Sequence, residues 1–176
     1  MSMPALAPPR LPHYLGAGTW EGDKIEGSWT VRIERCRLNT GFMFIGVCDA
    51  QGRCAWGLHP FSGLLYRLSR KDQDTGEQPS GYGFEGSPPA GYPDGNRTQV
   101  MVREDGVASD LRGRARGAVI ETLFDTISRT LSFRINGGPV LKALSGFPPD
   151  AQLRMFSFLF DQGDRLVPLS ALTRRW

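Results

Sequence analysis

Residues 118–138 read AVIETLFDTISRTLSFRINGG. Leu131, Phe133 and Ile135 alternate with Ser132 and Arg134, the period of two expected for a strand with one buried face. AVIETLFD, just before, is a second short strand. Thr126-Ile127-Ser128-Arg129 between them has the length of a hairpin connection. Asp125 at its head is the residue type that bonds its own backbone in a turn. Asn136-Gly137-Gly138 tolerates positive φ, so the chain can reverse again at once. The stretch therefore predicts an antiparallel hairpin with Leu131, Phe133 and Ile135 toward a core. Burying each contributes about 1.5–3 kcal/mol.

The same rhythm continues in both directions. In SWTVRIER, Trp29, Val31 and Ile33 share one face and Thr30, Arg32 and Glu34 the other. Asn39-Thr40-Gly41 supplies turn residues, and FMFIGVCDA reads as a strand buried on both faces, ended by Gln51-Gly52. CAWGLHPFSGLLYRLS is a strand, a tight turn and a second strand. TQVMV is a further strand. EDGVASDLRGRARG is polar and interrupted. LRMFSFLFDQG and RLVPLS close the series, with Leu153, Met155, Ser157 and Leu159 on one face of the former and Phe156, Phe158 and Phe160 on the other. No segment carries an apolar stripe at helical spacing over three turns. Short strands with turn signals every 8–12 residues predict an all-β sandwich or barrel.

The chain has 176 residues, which favours one domain able to bury a core without disulfide or metal staples. The 22 glycines and 13 prolines suit short strands better than long helices. A net charge of +3 is too mild to argue for nucleic acid. Three cysteines, an odd number, cannot complete a disulfide framework, so reduced thiols in a cytoplasmic compartment are expected. The opening MSMPALAPPRLPHYLG has no apolar core of signal-peptide length. No apolar run approaches the roughly 18–20 residues of a membrane helix. Residues 1–15 read as a Pro-rich lead-in, 16–170 as the domain and 171–176 as a tail.

AVIETLFDTISRTLSFRINGGPVLKALSGFP resembles the central signature of the SPRY (B30.2/SPRY) domains: a strand ending in Asp, a turn, a Leu-Ser-Phe strand, an Asn-Gly turn and an apolar return. GSWTVRIER, FIGVCD, AWGLHPFSGLLYR and LRMFSFLFDQGDRLVPL resemble four further family segments, in order. The resemblance covers residues 16–170. Residues 71–97 fit no family pattern, and RGRARGAV replaces the usual lead into the central strand. What the resemblance implies is a two-sheet antiparallel, concanavalin-like β-sandwich that binds a protein or peptide through loops at one edge, without catalysis.

The chemistry-bearing residues agree with a non-enzymatic reading. His13 and His59 are the only histidines, and His59, before Pro60 in a turn, has no triad setting. Cys36, Cys48, Cys54 and His59 lack the paired spacing of a zinc knuckle, so no metal or cofactor is expected. Glu121 and Asp125 are not placed as a glycosidase pair. Arg112, Arg114 and Arg116 read as a solvated loop, with docking of an acidic peptide as the other reading.

Two connections stand out as the partner site. The Gly/Pro-rich loop carries Tyr82, Phe84, Tyr92 and Arg97, residue types that dominate binding hot spots. Leu159, Phe160, Asp161 and Gln162 occupy the position that, by the resemblance, lines the family's peptide pocket. Tyr82, Tyr92 and Arg97 are expected to converge with Leu159, Phe160, Asp161 and Gln162 on a protein or peptide ligand. The domain is expected to be monomeric, with no nucleic acid or membrane partner. A lectin-like site is the alternative, with Tyr82, Tyr92 and Trp56 stacking on sugar and Asp94 and Asn96 bonding hydroxyls.

Overall fold

The computed structural model describes residues 15–25, 27–36, 43–70, 82–83 and 87–171. Among them the regular structure is all strand: β1 (Gly18–Lys24), β2 (Gly27–Arg35), β3 (Met43–Asp49), β4 (Cys54–His59), β5 (Leu64–Arg70), β6 (Tyr82–Gly83), β7 (Thr98–Gln99), β8 (Val119–Asp125), β9 (Thr130–Ile135), β10 (Val140–Leu144), β11 (Leu153–Leu159) and β12 (Arg165–Ala171). They form two antiparallel sheets. One runs β1-β11-β3-β4-β5-β6, with β7 also on β5, and the other runs β10-β9-β8-β2-β12. The expected sandwich is thus observed.

The hairpin predicted from residues 118–135 is β8–β9, in register from Ile120↔Ile135 to Asp125↔Thr130. Leu131 and Phe133 are fully buried, and Ile135 packs against the same core. Asp125 Oδ1 accepts the amides of Ile127 (2.8 Å) and Ser128 (3.1 Å), so the acid holds the turn closed. Asn136 and Gly137 take φ of 51° and 70°, the left-handed pair a tight reversal requires.

The core lies between the sheets. Trp29, Val31 and Ile33 of β2 face Met43, Ile45 and Val47 of β3 and Trp56 and Leu58 of β4. The Trp29 indole N–H donates to Gly46 O across the core (3.0 Å). Gly46 cannot carry a side chain, since a Cβ there would lie 2.0 Å from Trp56 O. β3 is buried on both faces, as expected, because Phe44 and Cys48 join Ala55, Leu68 and Phe156 in a second apolar cluster on the opposite face of the larger sheet.

Three features depart from the sequence reading. β1 was not expected. GTWEGDK has a single large apolar residue, Trp20, and its pairing along β11 comes from the partner strand and not from its own pattern. The strand expected over 98–102 shortens to Thr98–Gln99, because the next two amides, Val100 and Met101, both turn onto Gly63 O (2.9 and 3.0 Å). Leu15, placed at the end of the lead-in, is buried and bridges Leu166 in β12, so the ordered domain includes it.

Candidate functional site

The loop over 87–97 runs along the open side of the sandwich, between β5 of one sheet and β10 of the other. Trp56, fully buried, donates its indole N–H to Pro93 O (3.2 Å) and Asp94 O (3.1 Å). Tyr92 stacks on Trp56, with ring centroids 5.7 Å apart and 12° between the planes. Phe147 meets both rings edge-on. Arg67 Nε donates to Asp94 Oδ1 (2.5 Å), and the Arg67 amide to Asn96 Oδ1 (3.0 Å). Arg97, at φ 62°, donates its amide to Leu65 O (2.7 Å) while its side chain stays exposed. These contacts close the gap between two sheet edges, which would otherwise leave backbone groups and core side chains open to water. Burial raises the Tyr92 hydroxyl pKa, and the charges of Asp49 and Asp150 add to it.

This placement engages most of the residues named for the sugar-binding alternative within the fold. Trp56 has no face to offer a ring, Tyr92 is half-buried on top of it, and Asp94 and Asn96 are engaged by Arg67. Tyr82 sits in β6 with its backbone paired to Arg70; its side chain lies outside the described residues, as does Phe84.

The β11–β12 turn is built differently. Leu159 is fully buried in the core, so it positions the turn and offers nothing to a partner. Phe160, the next residue, is 68% exposed. Asp161 Oδ1 accepts the Gly163 amide (2.9 Å) and Asp161 O accepts the Asp164 amide (3.0 Å), which fixes the turn. Gln162 is exposed. Beside this turn lies a cavity of about 540 Å³ lined by Arg35, Cys36, Arg116, Asp161 and Gly163.

Arg116 reaches this cavity because its loop is pinned from below. Leu111 and Ala115 are buried, the Leu111 amide donates to Pro60 O (2.8 Å), and Gly117 donates to Ile33 O at the end of β2 (2.7 Å). Arg35 comes from the last residue of β2, opposite Arg165 in β12. Cys36 is half-buried, and its thiol pKa is raised by burial first and by Asp164 second, against a lowering by Arg116. A thiol shifted this way stays protonated at neutral pH and is a poor nucleophile.

The two expected parts of the site do not adjoin. β11 and β5 are separated by β3 and β4 in the larger sheet, three inter-strand steps or roughly 14 Å. The structure brings Asp161 into one cavity with Arg35 and Arg116, and Phe160 and Gln162 flank Asp161 in the same turn. The sequence did single out Arg116, as part of a solvated loop. Arg35 and Cys36 carried no signal, because they read as the polar end of an ordinary strand.

A second cavity, about 770 Å³, lies at the opposite end of the sandwich beside the β8–β9 turn. Two cations line it, Lys24 and Arg129; Arg129 donates to Pro148 O and Ala151 O and lies over Phe124 (4.9 Å to the ring centre), so its charge is used within the fold. His59 Nδ1 is bonded to Ser62 Oγ (2.7 Å) in a turn lined by Phe44, Phe61 and Tyr66. Cys48 and Cys54 lie on opposite faces of the larger sheet, which removes the four-ligand arrangement considered from the sequence.

The five segments of the SPRY resemblance fall on β2, β3, β4–β5, β8–β10 and β11–β12, in that order. No family model matches the chain, and no curated protein matches it. Among solved structures it is similar to the SPRY domain of human HERC1, with 18% sequence identity and a TM-score of 0.46, over 92% of this chain and 80% of that one.

Proposed function

We propose that this chain is a non-enzymatic protein-interaction module that receives a segment of a partner protein at the end of the sandwich formed by the β11–β12 turn, the end of β2 and the loop of Arg116. One observation carries the reading: Phe160, 68% exposed, stands beside a cavity lined by Arg35 and Arg116. A large exposed aromatic in a turn that shares a cavity with two arginines offers the residue types of a binding hot spot, and loops on a sandwich are where such sites are held. The cavity volume suits a few residues of a peptide. The absence of an activated nucleophile at Cys36 and the structural engagement of His59 support a binding role over catalysis.

The test is affinity capture with the folded chain as bait, comparing wild type with Phe160→Ala and Arg97→Ala. Phe160→Ala should weaken capture of the partner by about fivefold or more, roughly 1 kcal/mol, and Arg97→Ala should not. Equal capture by wild type and Phe160→Ala would place the binding surface elsewhere.

A further inference from the structure

The cavity beside the β11–β12 turn is lined by two arginines and one carboxylate, Asp161. Arg35 and Arg116 line it, both exposed, and neither has a carboxylate within ion-pair distance among the described residues. Arg112 and Arg114, on the same loop as Arg116, are exposed as well. The local acids are differently placed. Asp161 Oδ1 accepts the Gly163 amide in its own turn, and Asp164 is almost fully buried. Cys36, which shares the lining, has its thiol pKa raised by burial and stays protonated at neutral pH.

Exposed guanidinium forks present paired donors that match a carboxylate in the plane of its two oxygens. Phe160, the exposed chain neighbour of the cavity-lining Asp161, adds an apolar surface at the same turn, which a small free anion would not use and a side chain would. From these observations we infer that the partner segment is acidic: a short stretch with carboxylates for Arg35 and Arg116 and at least one large apolar residue for Phe160. This rests on the binding end proposed above and adds the chemistry of what binds there. Because both arginines are exposed, the charge pairing acts mainly on association and on choice of partner, and it weakens with salt.

The test uses the whole chain and fluorescein-labelled probes read by anisotropy: a Glu-rich peptide with one central Leu, the same peptide with Gln or Lys for each Glu, and a single-stranded oligonucleotide. The Glu peptide should bind about tenfold or more tighter than the Gln peptide at low salt. The difference should shrink as salt rises, and both Arg35→Ala/Arg116→Ala and Phe160→Ala should reduce it. Circular dichroism checks that the variants are folded. Equal binding of the Glu and Gln peptides, preference for Lys, binding of the oligonucleotide alone, or a Glu preference that survives loss of both arginines would each overturn the inference. The capture experiment separates the two readings. If Phe160→Ala abolishes capture while the arginine variant captures normally, the binding end stands and the acidic partner falls. If neither variant affects capture, the binding end itself is wrong.

Discussion

Phe133 is fully buried between β8 and β10, on the face the alternation of Leu131, Phe133 and Ile135 assigned to the core. Phe133→Ala should destabilise the fold by about 3–5 kcal/mol, read as a lower denaturant midpoint; an unchanged midpoint would show that this face is not the core. That residue was legible because the strand period is local. Gly46 was not legible. Its need for glycine arises from a carbonyl on the neighbouring strand, and no local pattern announces it. Cys54 gives a prediction in pH. It is buried, and desolvation pushes its thiol from 9.0 up to about 12. Between those values the unfolded chain has lost the proton and the folded chain keeps it. Stability should therefore fall as pH rises from 9.0 toward about 12, by at most about 1.4 kcal/mol per pH unit from this group. Cys54→Ala should flatten the slope of unfolding free energy against pH over that window. A slope identical to wild type would mean the thiol ionises as freely in the fold as outside it.

At the scale of elements, the β8–β9 hairpin was readable in full, since its turn carries its own instructions in Asp125 and Asn136-Gly137. The Asp125 carboxyl is held below its ordinary pKa by the Ile127 and Ser128 amides. The stability it adds is present above the ordinary aspartate range and is lost as pH falls through the lowered value. The loop over 87–97 was recognised as unusual, but its role was not readable. Tyr and Arg among glycines and prolines look the same in sequence whether they bind a partner or close a sheet edge. What distinguishes them is Trp56, thirty-six residues earlier, which the Tyr92 ring covers. Tyr92→Ala should accordingly lower stability by about 1 kcal/mol or more, through loss of an aromatic pair and of burial. It should leave partner affinity unchanged once the folded fraction is accounted for. Phe160→Ala should do the reverse, changing stability by less than about 0.5 kcal/mol, as exposed substitutions do. Thermal unfolding of the two variants side by side checks the pair, and matching losses of stability would contradict the assignment.

The described residues form a sandwich whose two ends differ in how their arginines are used. At the β8–β9 end, Arg129 is consumed by backbone carbonyls, although Ile127 at the turn tip is 93% exposed. At the other end, Arg35 and Arg116 remain available beside Phe160. The alternation that located the sheets could not reveal this difference, because it depends on which turns the sheet order brings together. The most direct test is site-specific photo-crosslinking, with a benzophenone amino acid placed in turn at positions 160, 127 and 97 of the folded chain in the presence of its captured partner. Crosslinks from position 160, with little from 127 or 97, are the predicted result. Crosslinks from 127 or 97 with none from 160 would contradict it.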